Sequence, residues 1–167
     1  GKRIGTPLYT QTAAIWIRGD LENIYGADLS KVQWVQGAVE KAGSHGDPPA
    51  PPQLLKPIDI ETNTSDKSLS EMLADGEIDA ILGSRMPPSV RTAPDKVEHL
   101  FPNFREEEKR YYREYRIHPI MHTVVIRKEI YQENKWIAQS LYKAFLAAKN
   151  WAVEQMYFSG AQKYMLP

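Results

Sequence analysis

At 167 residues the chain is long enough for one domain with a real core, or for one lobe and part of another. Lys+Arg and Asp+Glu both total 21, and the resulting zero net charge argues against a dedicated nucleic-acid binder, whose phosphate contacts need a basic excess. The absence of cysteine excludes disulfides and thiolate zinc sites, and the longest apolar runs fall far short of the roughly 18 residues that suggest a membrane span.

In chain order, "KRIGTP" predicts a short strand ended by Gly5 and Pro7. "TQTAAIWIRGDLENIYG" predicts a helix with Ala13, Ala14, Ile17, Leu21 and Ile24 on one face, Thr10 or Thr12 as its cap and Gly26 as its stop. "VQWVQG" is a second strand, followed by the Pro/Gly-rich loop "EKAGSHGDPPAPPQLLKP", which cannot hold regular structure for long. "IDIET" alternates as a third strand. "SLSEMLADGEID" is a short helix with Ser68 as cap, Glu71 at the capping-box position and Gly76 at its end. "AILGSR" is a fourth strand, apolar on successive residues as in a strand buried on both faces. A charged helix over "PNFREEEKRYYREY" and a strand over "IMHTVVIR" come next. A long amphipathic helix closes the chain, with Ile137, Leu141, Ala144, Phe145, Ala148, Ala152 and Met156 on one stripe. The chain begins without Met and shows no signal peptide, and it reads as an internal piece of a longer protein.

Strands alternating with helices give an α/β fold with a mainly parallel sheet flanked by helices. In such sheets ligands bind at the carboxyl ends of strands, which singles out the loops "TPLYTQT" and "GSRMPPS". The first is a strand–turn–helix junction whose free backbone N–H groups and dipole suit an anion, with Tyr9, Thr10, Gln11 and Thr12 as added donors. An ordinary capped helix is an equal alternative there. It is not a phosphate loop, because Gly5 is its single glycine and no Lys-Ser/Thr pair follows. In the second loop Arg85 follows Ser84 directly after a buried strand, where a guanidinium can fork two hydrogen bonds onto a carboxylate. The alternative for Arg85 is a salt bridge to a nearby acid.

"REEEKRYYREYR" mixes basic and aromatic residues, yet its glutamates cancel the arginines and helical spacing pairs Glu106 with Arg110, giving a solvated helix face. His118 and His122 stand at the spacing of a helical metal pair, but Pro119 and "TVVI" favour a strand. Residues four apart in a strand lie roughly 13 Å apart, at about 3.3 Å per residue. Two ligands of one zinc ion sit about 2 Å from it, so this pair cannot share a metal. His45 and His99 supply no ligand spacing either, and neither a metal nor a cofactor is expected.

The blocks "GTPLYTQTAAIWIRGDLENIYGAD", "VQWVQG", "LSEMLADGEIDAILGSRMPPS", "FPNFREEEKRYYREYRIHPIMHTVVIRKEIY" and "WIAQSLYKAFLAAK" together resemble the 4,5-dihydroxyphthalate decarboxylase family. Members look like the substrate-binding proteins of ABC transporters, with a type II periplasmic-binding fold of two α/β lobes. The resemblance implies that residues 1–116 form the second lobe. Residues 117–167 would then be a returning crossover strand and a helix of the first lobe, which the remainder of the parent chain completes. It implies non-oxidative loss of CO₂ from a hydroxylated aromatic dicarboxylate, in the cytoplasm and without a membrane span. For that chemistry the residues themselves, rather than any family assignment, suggest Arg85 as the carboxylate clamp, Thr10 and Thr12 as carboxylate donors with Tyr9, Gln11 and Ser84 beside them, and His122 as the proton carrier. The alternative is a small-carboxylate receptor of an ABC transporter that binds without chemistry and is periplasmic if a signal peptide precedes Gly1.

Overall fold

The computed structural model describes residues 1–43, 54 and 56–158. Most of the Pro-rich loop, with His45, lies outside the described residues. Strands β1 (Arg3–Thr6), β2 (Gln33–Gln36), β3 (Ile60–Thr62) and β4 (Ala80–Ile81) pair in the order β3-β2-β1-β4, every pair parallel. The α/β class and the parallel sheet read from the sequence are therefore observed. Register is set at β1, where Ile4 pairs with Trp34 on one side and with Ala80 on the other.

Side chains alternate across β2, so Trp34 and Val35 enter opposite layers. Val35 joins Val39, Leu69, Met72 and Ile78 beside helix α2 (Leu69–Ala74). Trp34 joins Tyr9, Ala14 and Leu82 beside helix α1 (Thr12–Asn23), with Ile17 and Leu21 packed against them. Helices thus cover both faces of the sheet, as parallel strands require. Helix α2 begins with a complete capping box: Glu71 N–H donates to Ser68 Oγ at 3.2 Å, and the Ser68 N–H donates to the Glu71 carboxylate at 2.7 Å. Gly76, at φ +76°, ends that helix in the left-handed region where glycine is unstrained.

Helix α3 (Ser89–Thr92) is a single turn, and α4 (Phe104–Tyr115) is solvated along its length, as expected. The pairing within α4 differs from expectation. Arg110 binds Glu107 and Glu114 (2.9 and 3.1 Å), whereas Glu106 is held by Lys109 at 2.8 Å. Arg110 reaches backward because Tyr25 anchors it there: Arg110 and Glu107 both meet the Tyr25 hydroxyl at 3.2 Å.

The chain divides into two compact units, Gly1–Met121 and the segment from His122 onward. The strand expected over "IMHTVVIR" is not formed: residues 116–127 have no regular hydrogen-bonded structure. β-branched side chains favour an extended backbone, but a strand also needs a partner edge, and none is supplied among the described residues. Within the first unit this segment is tied down by Trp16, whose indole N–H donates to the Ile120 carbonyl at 3.3 Å. The second unit holds α5 (Lys128–Glu133) and α6 (Trp136–Phe158). The α6 stripe is not closed over, and Leu141 and Phe145 are 37% and 54% exposed, because six-residue α5 is too short to cover it.

A Cβ on Gly5 would lie 2.8 Å from Ile78 Cδ1 and 3.2 Å from a Leu69 methyl, and both neighbours are fully enclosed. Gly5→Ala should therefore lower the unfolding free energy in urea by about 1–3 kcal/mol, and adding Ile78→Val should recover part of it. The Ser68 N–H, then its hydroxyl, hold the Glu71 carboxyl below the usual carboxylate range. A depressed folded pKa stabilises above the unfolded value, and that stability is lost as pH falls through the folded one. Glu71→Gln should accordingly flatten the acid limb of the stability profile, measured by melting temperature across an acid pH series.

Candidate functional site

In the order β3-β2-β1-β4, β2 and β3 lie on one side of β1 and β4 on the other. The loops leaving β1 and β4 therefore diverge at their carboxyl ends, and such a reversal is where parallel sheets open a crevice. The β1 loop carries Tyr9, Thr10 and Gln11 into Thr12, the first residue of α1, and the β4 loop carries Ser84 and Arg85. Of the residues singled out by the sequence, Gln11 and Ser84 are brought into contact there.

The two loops touch through main chain and side chain. Leu82 N–H donates to the Gly5 carbonyl at 2.9 Å, and a Cβ on Gly83 would meet Pro7 Cδ at 2.9 Å. Gln11 Nε2 donates to Ser84 Oγ at 3.3 Å, joining the two loops. Gln11, rather than Thr10 or Thr12, is the N-cap of α1, and no side chain caps that helix. Its carbonyl accepts the Ile15 N–H at 3.0 Å while its amide turns to Ser84. The first-turn N–H groups of α1 thus keep their donors, at the positive end of a twelve-residue helix. Two enclosed polar atoms at this end of the sheet, Thr6 Oγ1 and Gln11 Oε1, have no hydrogen-bond partner among the described residues.

Tyr9 has a different part from its neighbours. It is 6% exposed, packs edge-on against Trp34 with ring centroids 5.2 Å apart, and its N–H donates to Gln36 Oε1 at 2.9 Å. Arg18 lies over the Tyr9 ring at 3.7 Å and donates to the Tyr9 carbonyl at 2.7 Å. Burial lowers the Arg18 pKa, but a guanidinium titrates so high that it stays charged. Tyr9 therefore braces the loop from beneath while Thr10, Gln11 and Thr12 form its outer surface.

Arg85 is exposed, and its Nη1 lies 3.2 Å from Glu40 Oε1 on the loop after β2. The salt-bridge alternative for this arginine thus has its acid. His122 is exposed and falls in the second unit, as the first residue after the division. Among the described residues no group of three His, Cys, Asp or Glu side chains could hold a metal ion. No helix among them is long and apolar enough to cross a membrane.

Three contributors escaped the sequence reading. Gln36 and Glu40 carry no local signal, because their partners lie 27 and 45 residues away. Arg18 could have been found, since it stands one turn after Ala14 and beside Ile17 on the apolar side of its helix.

No protein-family model matches the chain. It is 33% identical over 171 residues to a 4,5-dihydroxyphthalate decarboxylase of Comamonas testosteroni, covering 100% of this chain and 50% of that protein. It is 39% identical over 104 residues to a 4,5-dihydroxyphthalate decarboxylase of Pseudomonas putida, covering 60% of this chain and 38% of that protein. The chain thus spans about half the length of the curated relatives it matches, and the likeness read from its sequence blocks is borne out.

If Arg18 holds the β1 loop by stacking and by its hydrogen bond, Arg18→Ala should cost about 1–2 kcal/mol in urea unfolding. Arg18→Lys should restore only part of that, since an ammonium cannot both stack flat on Tyr9 and donate to its carbonyl.

Proposed function

We propose that this chain, a relative of 4,5-dihydroxyphthalate decarboxylases, carries the carboxylate-binding half of an enzyme that removes CO₂ from a hydroxylated aromatic dicarboxylate of that kind. The observation that carries the proposal is the Gln11–Ser84 hydrogen bond at the reversal of the sheet, with Arg85 on the adjoining residue and the open α1 terminus beside it. Neutral donors, a positive helix end and a guanidinium on adjoining loops suit an aromatic carboxylate. The relatives' names supply the reaction, and half of their length lies outside the likeness.

In this reading Arg85 forks onto the carboxylate that stays on the ring, and Thr10, Gln11, Thr12 and Ser84 donate around it. The departing carboxylate has a hydroxyl para to its ring carbon. Loss of the hydroxyl proton pushes an electron pair through the ring, and that carbon takes up a proton. The carbon–carboxylate bond then breaks, its electron pair restores the aromatic ring, CO₂ leaves, and the oxygen regains its proton. One proton is consumed overall, and it stays on the ring carbon. An imidazole can both accept and donate a proton in these transfers, and His122 is assigned that task. In this reading Tyr9 fixes the loop through Trp34, Gln36 and Arg18 rather than touching substrate.

The proposal takes residues 1–116 as the second lobe of a two-lobe fold, with the remainder of the parent chain completing the first lobe and the cleft. It also takes the enzyme as cytoplasmic. A signal peptide in the encoded precursor would oppose that placement and favour a transport receptor.

The deciding experiment incubates the full-length protein with 4,5-dihydroxyphthalate and follows CO₂ release. Release is expected; tight binding of the compound without release would favour the receptor. Arg85→Ala should weaken binding of phthalate, which lacks the reacting hydroxyls, by about tenfold or more with its melting temperature unchanged. His122→Asn should leave phthalate binding intact and lower kcat by about 100-fold or more. Equal phthalate affinity in wild type and Arg85→Ala would remove the clamp.

A further inference from the structure

We infer that Glu40 is an internal stand-in for substrate, a carboxylate that occupies Arg85 until a ligand carboxylate displaces it. The inference rests on the reading of Arg85 as the clamp. Three observations carry it. First, the contact is a single oxygen on a single nitrogen, Glu40 Oε1 to Arg85 Nη1 at 3.2 Å, and it is the one hydrogen bond either side chain makes among the described residues. A guanidinium built into a structural pair would more usually be gripped by both oxygens, and here its other N–H donors remain open.

Second, both side chains are exposed, at 61% and 55%, so the pair can separate without leaving an enclosed charge. Third, the pair joins the loops on either side of the central strand: Glu40 follows β2 and Arg85 follows β4, the two strands that flank β1. Glu40 therefore reaches across the carboxyl end of the central strand to the cation opposite. A carboxylate that forks end-on across Nη1 and Nη2 needs the nitrogen on which Glu40 rests, so binding in that mode is a competition.

The consequence is a ligand affinity set below what Arg85 alone would give. An exposed pair of this kind holds its partner back by no more than about fivefold. The competition also selects ligands. A carboxylate that engages several of the open N–H donors gains over Glu40, whereas one that uses a single oxygen merely exchanges one contact for another.

The test measures phthalate affinity calorimetrically at constant ionic strength in full-length wild type, Glu40→Gln, Glu40→Asp and Arg85→Ala. Glu40→Gln removes the competing charge; Glu40→Asp keeps the charge but draws it back by one methylene. Both should tighten phthalate by about two- to fivefold, with melting temperatures unchanged. Tightening by Glu40→Gln alone would overturn the inference, because it would mean that the negative charge acts through its field rather than by occupying Arg85. Wild-type affinity in both Glu40 variants, with binding lost in Arg85→Ala, would overturn the stand-in and leave the clamp standing. Unchanged affinity in Arg85→Ala would overturn both.

Discussion

Strand β1 is a four-residue segment enclosed by a strand on each edge and a helical layer on each face, and the rest of the first unit is positioned from it. Its two edges are not equivalent in extent. Four residue pairs join it to β2 and two join it to β4, so the β4 side depends on more than the ladder. Gly5 supplies that addition by letting Ile78 and Leu69 press against the strand backbone, which draws the segment leading into β4 and the start of α2 inward together. The crevice then follows from topology, because the chain must leave β1 in one direction and β4 in the other.

The two ends of the sheet carry different chemistry. At the amino end, Lys2 pairs with Asp79 at 2.7 Å, the Arg3 N–H donates to Asp79 at 2.8 Å, and the Arg3 guanidinium reaches Glu61 at 2.9 Å. Lys2, and then the Arg3 N–H, hold the Asp79 carboxyl below the usual range. Charge there is consumed in closing the sheet. At the carboxyl end Gln11 and Ser84 are joined as a neutral amide and hydroxyl, and the Glu40–Arg85 pair is exposed and singly bonded among the described residues.

Local patterns carried much of this fold on their face. Pro7 marked the end of β1, although Gly5, expected to help end it, lies inside the strand and pairs with Val35 and Ile81; "SLSE" specified a capping box that forms in full, and alternation in "IDIET" gave β3. The strand expected to run up to Arg85 is only Ala80–Ile81 and half-buried, so Arg85 stands in the loop beyond it rather than directly after a buried strand. What stayed hidden depended on distant partners. "IMHTVVIR" has every local feature of a strand, but pairing is decided by an opposing edge that no local pattern records. The cap of α1 was misplaced for a related reason. Thr10 and Thr12 are the better cappers by type, yet Gln11 takes the position because its side chain has Ser84 to bond, 73 residues further on. Likewise Arg110 chose Glu107 over Glu106 under the pull of Tyr25, 85 residues away.

The close approach of Gly83 to Pro7 bears on how such a site can change over time. Where the Pro7 ring lies so close to the Gly83 backbone that even a methyl group would clash, neither loop can shift without disturbing the other. The aperture has a fixed gauge. New ligand preferences in proteins built on this scaffold must then arise by exchanging the side chains that project from the rim, Thr10, Thr12 and Glu40 among them, while the junction beneath is inherited unaltered.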